Sequence, residues 1–454
     1  MNRQTDRADA RDVLVLGAGL SGLTVGALLG DGATVVEAAD RAGGLVRTER
    51  VGDYWFDHVI HLLYFHTPEV ERLVTDLLGA DLAPCPPVSW VETAAGATRF
   101  PIQLHLGALK PAARAACLAD IRAAHASRQS PQDYGQLLLH AFGRTLCELF
   151  FFPYNGKMWR RPLAELATSG FHWNLTRPPL ADVVRGAEPT SRTPGYNSRG
   201  FYPRPPLTSP RGRGMEVLSR ALAAKVPDLR LRHTVERVDV ASQVAHVRAG
   251  RRRRQLHYRD ACVSTLPLPR LVQMCDQAPR RLADQCRSLP YNRVRTVALA
   301  VRGRRPADFG HWRYYADPAL PFTRLVLMTE FDPQLAPDDG WGMLAEVIER
   351  SDEPGAPADT LIADVWDGLN RIGLRTGGAE LVDAQVFTVD PAYVVFTPAA
   401  QEVVERARAF LSDHGVTPLG RYGNWTYSSM AQVMGEAMEW VSAHRARAGT
   451  QPQG

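Results

Sequence analysis

Three glycines, Gly17, Gly19 and Gly22, stand at the spacing G-x-G-x-x-G, and an acid, Glu37, closes the next apolar run. Those residue types at that spacing point to dinucleotide chemistry. The first glycine permits a tight turn, the second lets the backbone approach a pyrophosphate, and the third lets a helix pack closely on a strand. A helix opening at Leu20 and Ser21 would present free N–H groups and a positive partial charge to the phosphates. Glu37 would accept hydrogen bonds from ribose hydroxyls, and its charge would repel a 2′-phosphate.

The elements around these residues are the ones such a site needs. Residues 13–16 form a short apolar run of the kind found in buried parallel strands. Residues 20–29 have a helical pattern that ends at Gly30 and Gly32, and residues 34–36 give a second strand with Glu37 at its carboxyl end. The glycine motif alone is weak evidence; strand, helix, strand and acid in register make it strong.

Further along, residues 101–187 are mostly helical in pattern, with breaks at Pro101, Pro111 and Pro131, and residues 197–210 read as a loop. Residues 229–240 alternate like a strand. Strand-like runs at 294–301, 323–328, 342–348 and 384–388, with turns between them, predict an antiparallel sheet. The chain closes with a helix capped by Ser428 or Ser429, whose apolar face is Val433, Met434, Ala437, Met438 and Val441.

Composition narrows the function classes. With 454 residues and 45% apolar content, the chain is globular and long enough for two or three domains. No apolar run reaches the roughly 18 residues of a spanning helix, and the first twelve residues lack the apolar centre of a secretory signal. A soluble, cytoplasmic protein with no membrane partner is expected. The six cysteines show no C-x-x-C pair and no metal-ligand spacing, so they read as buried reduced thiols, and no metal is expected. The net charge is +5, and Lys110, Lys157 and Lys225 are the only lysines among the basic residues. That balance suits an anionic small-molecule substrate. The run Arg251-Arg252-Arg253-Arg254 reads as a solvated hairpin turn rather than a nucleic-acid contact, because no aromatic residues interleave it.

Beyond Glu37, "AADRAGGLVRT" places Gly43-Gly44 and Arg47 just after the acid. This resembles the extended motif of the FAD-containing amine oxidase superfamily and implies FAD as cofactor. "FDHVIH" resembles the segment that brings a histidine, here His61, against the flavin. The order of "PYNGKMW", "FTR" and "GRYGNWTYSSM" behind the glycine motif is similar to that of UDP-galactopyranose mutase and protoporphyrinogen oxidase-like flavoproteins. The resemblance implies an α/β fold. Its Rossmann-like FAD/NAD(P)-binding domain is discontinuous (1–90, 205–290 and 405–454), with a helical insertion (91–204) and a mixed or antiparallel sheet substrate domain (291–404). It also implies cofactor contacts at Ala38, Gly44, Leu45, Arg47, His61, Val235, Arg421, Ser429 and Met430. Tyr154, Trp159 and Tyr202 would line a substrate site, with Arg177, Arg324 and Tyr427 beside His61 in the catalytic group. Gly156 stands where the mutases usually carry glutamate, and Ser429 where they carry aspartate. The implied activity is reduced-flavin N5 chemistry on a nucleoside diphosphate sugar or related glycosyl substrate. The alternative is amine oxidase-like or protoporphyrinogen oxidase-like dehydrogenation of a small molecule.

Overall fold

The computed structural model describes residues 11–170, 177–190, 199–375 and 378–450. The strand Arg11–Leu16 leads through the glycine turn into the helix Leu20–Leu29, and the chain returns as Ala33–Val36. All four residues of that second strand are buried, as in a sheet covered on both faces. The two strands pair in parallel, and Arg11–Leu16 pairs in parallel with the end of Arg252–Ser264 on its other side. Val416–Pro418 and Leu229–Arg230 extend the sheet. The expected β-α-β unit thus sits in a parallel sheet drawn from the beginning, middle and end of the chain.

The long strand Arg252–Ser264 belongs to two layers. Its later residues join the parallel sheet. Its earlier residues pair antiparallel with Val244–Ala249, which pairs with His233–Asp239. This three-stranded meander folds over one face of the parallel sheet. Leu14, Leu16 and Val36 share a buried cluster with Val235, Val238, Ala245 and Val247. The arginine run is not itself the turn. Gly250 and Arg251 make the turn, and Arg252 to Arg254 begin the strand, exposed as expected.

The opposite face is covered by Leu20–Leu29, Glu216–Ala223 and the last helix, Met430–Thr450, with Val13, Val15 and Val35 packed against Leu23, Val217, Met434, Ala437 and Val441. Ser429 stands at the cap of the last helix, its Oγ accepting from Gln432 N at 3.3 Å. Met438, expected on the apolar face, is only half-buried.

A second, seven-stranded sheet runs in the order Glu380–Val394, Tyr291–Arg302, Gly340–Arg350, Arg324–Leu327, Trp312–Tyr315, Ser89–Thr93, Gly96–Arg99. Its first four members correspond to the four strand-like runs of the sequence, although Arg324–Leu327 is shorter than the expected 323–328 because Met328 begins a 3-10 turn. Trp312–Tyr315 pairs in parallel with Ser89–Thr93, so the sheet is mixed. The hairpin at its edge comes from the N-terminal part of the chain and straddles the division expected between residues 90 and 91. The helix Ala358–Arg371 covers one face through Leu361, Val365 and Leu369. The other face packs Ala298, Ala300, Val326 and Leu344 with Tyr54 and Phe56. A helical region includes Pro111–Ala126, Tyr134–Phe142 and Phe152–Trp159, the last tied to the sheet by Lys157. Pro111 takes the first turn of its helix, where its missing N–H costs nothing. Parts of the helical pattern to residue 187 and of the loop at 197–210 lie outside the described residues.

All six cysteines are buried and free. Among the described residues no helix is long and apolar enough to cross a membrane, and no group of His, Cys, Asp and Glu could hold a metal ion.

Candidate functional site

The glycine motif folds into a cradle at the carboxyl ends of the parallel strands. Gly17 has φ +99°, and its N–H donates to Val36 O at 2.8 Å. Gly22 is required by packing, since a Cβ there would lie 2.0 Å from Gly17 O. Gly19 is different. Its φ of −76° suits any residue, and the nearest atom to a Cβ there would be Gly44 Cα at 4.0 Å. Neither strain nor protein packing calls for glycine at this position. The open space faces a helix N-terminus with no side-chain cap, the arrangement a pyrophosphate fits.

Gly43 N–H donates to Ala18 O at 2.8 Å, which folds the second glycine pair over the first. The Glu37 carboxylate accepts from Ala18 N and Ala39 N, each at 2.9 Å. Glu37 O accepts from His233 N at 2.8 Å, where the strand carrying Val235 begins. Arg47 donates from Nη2 to Arg41 O at 2.7 Å, and its buried Nε has no partner. A Cβ on Gly420 would fall 2.2 Å from Ser21 Oγ, so the Gly420–Gly423 turn presses on the start of the first helix and sets Arg421 beside the cradle. Orphan donors at Arg47 and Arg421, with the space over Gly19, fit a large anionic cofactor.

Next to the cradle, the second sheet and the helix Phe152–Trp159 gather Tyr154, Tyr314, Tyr393 and Tyr427 around Arg324 and Arg421, a tyrosine-rich region hereafter called the chamber. A π-helical turn, Cys147–Phe151, precedes that helix. Asn155 orients its indole: Trp159 Nε1 and Tyr134 OH donate to Asn155 Oδ1 at 3.0 and 2.9 Å. Lys157 fastens the helix to the sheet by donating to the carbonyls of Tyr315, Asp317 and Phe322 at 3.2, 2.8 and 2.6 Å. Tyr154 meets Tyr314 edge-on at 5.6 Å, Trp159 meets Tyr427 edge-on at 6.2 Å, and Tyr427 stacks on Tyr393 at 5.5 Å.

Two arginines face this chamber with different partners. Arg324 donates from Nε and Nη2 to the two oxygens of Glu346 at 2.9 and 2.6 Å. Burial works against its charge, but the Glu346 carboxylate more than offsets this and holds the Arg324 pKa well above the ordinary value. Arg421 lies 4.4 Å from the Tyr427 ring centre and donates to Ala392 O at 3.1 Å. No carboxylate lies within 4.0 Å of it among the described residues. His61 is half-buried with its Nδ1 shut off from water, and desolvation, with the nearby charges of His58, Arg421 and Arg324, pushes its pKa down to about 3. It is therefore neutral near pH 7. Burial drives the Tyr154 and Tyr427 pKa values well up, so both hydroxyls keep their protons. With Arg324 balanced by Glu346 and His61 neutral, Arg421 gives the site a positive charge that only an anionic ligand would offset.

The structure thus brings His61, Tyr154, Trp159, Arg324, Arg421 and Tyr427 together, with Ser429 and Met430 just beyond Tyr427 at the start of the last helix. It does not bring in two expected residues. Arg177 is spent in the helical region, donating to Ala124 O at 3.0 Å and meeting His140 Nε2 at 3.2 Å. Tyr202 is 0% exposed, its hydroxyl donates to Asp57 Oδ2 at 2.8 Å, and its ring packs on Phe331. Tyr314, Tyr393 and Glu346 were not legible as site residues. Glu346 sits directly opposite Arg324 on the neighbouring strand, a pairing visible only once the strands are in register.

Comparison with solved structures shows the same fold. A reduced UDP-galactopyranose mutase matches with a TM-score of 0.85 and 21% identity, covering 98% of this chain and 97% of that one. A protein of Exiguobacterium sp. 255-15 described as a protoporphyrinogen oxidase matches at 0.72 and 15%, over 96% and 99%. Cyclohexylamine oxidase from Brevibacterium oxydans IH-35A matches at 0.64 and 14%, over 97% and 100%. The sequence model of the flavin containing amine oxidoreductases matches residues 20–372. The cradle over Gly19 and this match agree: the chain is an FAD-dependent enzyme and belongs to the flavin-containing amine oxidoreductase family.

Proposed function

We propose that the protein acts on a nucleoside diphosphate sugar or a related glycosyl phosphate. The observation that carries this reading is a net positive charge among tyrosine rings, where the guanidinium groups of Arg324 and Arg421 face the single carboxylate of Glu346. A diphosphate would neutralise that charge through charge-assisted hydrogen bonds from the guanidinium groups. An amine substrate would enter as a cation against it. The similarity to a UDP-galactopyranose mutase structure supports the same reading.

The backbone of Gly17, Gly19, Leu20, Ser21 and Gly22 would hold the FAD pyrophosphate. Glu37, Ala38 and Val235 would flank the adenosine, and Gly44, Leu45, Arg47, His61, Arg421, Ser429 and Met430 would lie along the rest of the cofactor. Bound FAD supplies the electron chemistry at the sugar carbon. The chain's own residues do the remainder. Arg324 binds and orients the diphosphate, Tyr154 offers its ring to the base with Trp159 packed behind the site, and the Tyr427 hydroxyl donates a hydrogen bond. The enclosing rings exclude water.

Calorimetry on the FAD-loaded protein, with the flavin reduced, tests this with uridine and thymidine diphosphates. Binding is expected, and Arg324→Ala should weaken it more than tenfold, since a hydrogen bond to a charged group contributes roughly 1.5–3 kcal/mol. The family description favours the rival reading, oxidation of an amine or similar carbon. No heat with either nucleotide, together with oxygen consumption on an amine, would establish that rival.

A further inference from the structure

The meander and the parallel sheet leave a wedge between them, a crevice of about 640 Å³ near the amino ends of Arg11–Leu16 and Ala33–Val36. The glycine cradle lies at the other end of the same strands. Arg230, Arg252, Arg253, Arg254, His246 and His257 line the crevice, and among the described residues no aspartate or glutamate does. Its volume is in the range of small-molecule sites, roughly 300–1,000 Å³.

The arginines play different parts. Arg230 is fixed in the wall, donating from Nε and Nη2 to Asp228 at 2.8 Å each, while Asp228 also accepts from Thr34 Oγ1 at 2.7 Å. Arg253 shares Glu236 with Arg248 across the strand pair, at 3.2 and 2.8 Å. Successive strand residues point to opposite faces. Arg252 and Arg254 therefore share the face of Leu256, which packs against the core. Among the described residues, neither side chain makes an ion pair or hydrogen bond. Two unneutralised guanidinium groups two residues apart repel each other, and a concave wall without acids focuses their field. An anion between them relieves that repulsion, and phosphate oxygens match the guanidinium fork.

We propose that this crevice binds a phosphate-bearing anion, with Arg252 and Arg254 as its ligands and Arg230 as the fixed wall, apart from the FAD and substrate sites. The phosphate can belong to a free polyphosphate or to a phospholipid headgroup, and the experiment separates the two.

FAD-loaded protein would be titrated with inorganic tripolyphosphate by calorimetry, and co-sedimented with vesicles of phosphatidylcholine with and without phosphatidylglycerol. Binding to at least one anionic probe is expected, weakening as salt rises. Arg252→Ser/Arg254→Ser should weaken it more than tenfold, and the flavin spectrum should stay unchanged because both side chains are exposed. Arg248→Ser, which removes the other partner of Glu236 and lies outside the crevice lining, should leave it within about threefold. Response to tripolyphosphate alone assigns a free phosphate, and response to phosphatidylglycerol alone assigns a headgroup. The proposal is overturned if neither probe binds, if binding survives the double substitution, or if Arg248→Ser costs as much as the pair.

Discussion

Arg324 and Glu346 face each other directly across two antiparallel strands and are joined by two hydrogen bonds of 2.9 and 2.6 Å, with Glu346 only 3% exposed. A buried pair of this kind is costly to break and cheap to replace, because removing one partner strands the other charge away from water. Arg324→Met or Glu346→Met alone should therefore destabilise the protein by about 3–5 kcal/mol in urea unfolding. The double variant should recover most of that loss. Nucleoside diphosphate binding should not recover with it, since the guanidinium is gone. A double variant that restores binding would remove Arg324 from the substrate site.

Gly19 and Gly22 make opposite predictions from the same motif. Gly19→Val should fold, since nothing lies within 4.0 Å of the added Cβ except Gly44 Cα, but it should purify colourless because the side chain takes the pyrophosphate's place. Gly22→Ala should lose folded protein instead, since its Cβ would lie 2.0 Å from Gly17 O. Absorbance at the flavin bands, with circular dichroism for folding, checks both. Full flavin occupancy in Gly19→Val would show that the cradle is not the cofactor site.

Lys157 uses all three of its ammonium protons on the carbonyls of Tyr315, Asp317 and Phe322, just before Arg324. Lys157→Met should cost about 2–4 kcal/mol by leaving those carbonyls without a charged donor. It should also weaken nucleotide binding, because the helix bearing Tyr154 and Trp159 is no longer tied to the strand bearing Arg324. Lys157→Arg should not rescue it, since a planar fork cannot serve three converging carbonyls. Thermal melts and nucleotide titrations read the two effects separately.

Buried histidines set the acid side of the stability profile. Burial lowers the His61 pKa from 6.5 to about 3 and the His311 pKa to about 4. Val88 N donates to His311 Nδ1 at 3.1 Å, which keeps that ring neutral. Below pH 6.5 the unfolded chain takes up protons that the folded chain refuses, so unfolding free energy falls as pH drops and is fully present above that value. The melting temperature should decline from pH 7 to pH 4, and His61→Gln should flatten the decline. An unchanged slope in that variant would mean that His61 is already protonated in the folded state.

The residues that act within one turn of chain were determined by the sequence alone. Gly17, Gly19, Gly22 and Glu37 form the cradle because positive φ, close backbone approach and a strand end are local requirements, satisfied by residues at most twenty positions apart. Ser429 at the last helix's cap is of the same kind. The chamber is not. Glu346 reads as one acid in an apolar strand until the register sets it opposite Arg324. Tyr314 lies on a four-residue strand too short to show a period, and Tyr393 meets Tyr427 only because the last turn of the chain returns to the second sheet. Arg177 and Tyr202 were placed by resemblance, and the tertiary structure gave them other partners, His140 and Asp57. Charge pairing and ring packing between distant segments depend on strand register and on which faces the layers bury. Both are settled only when the two sheets and the helices close on one another.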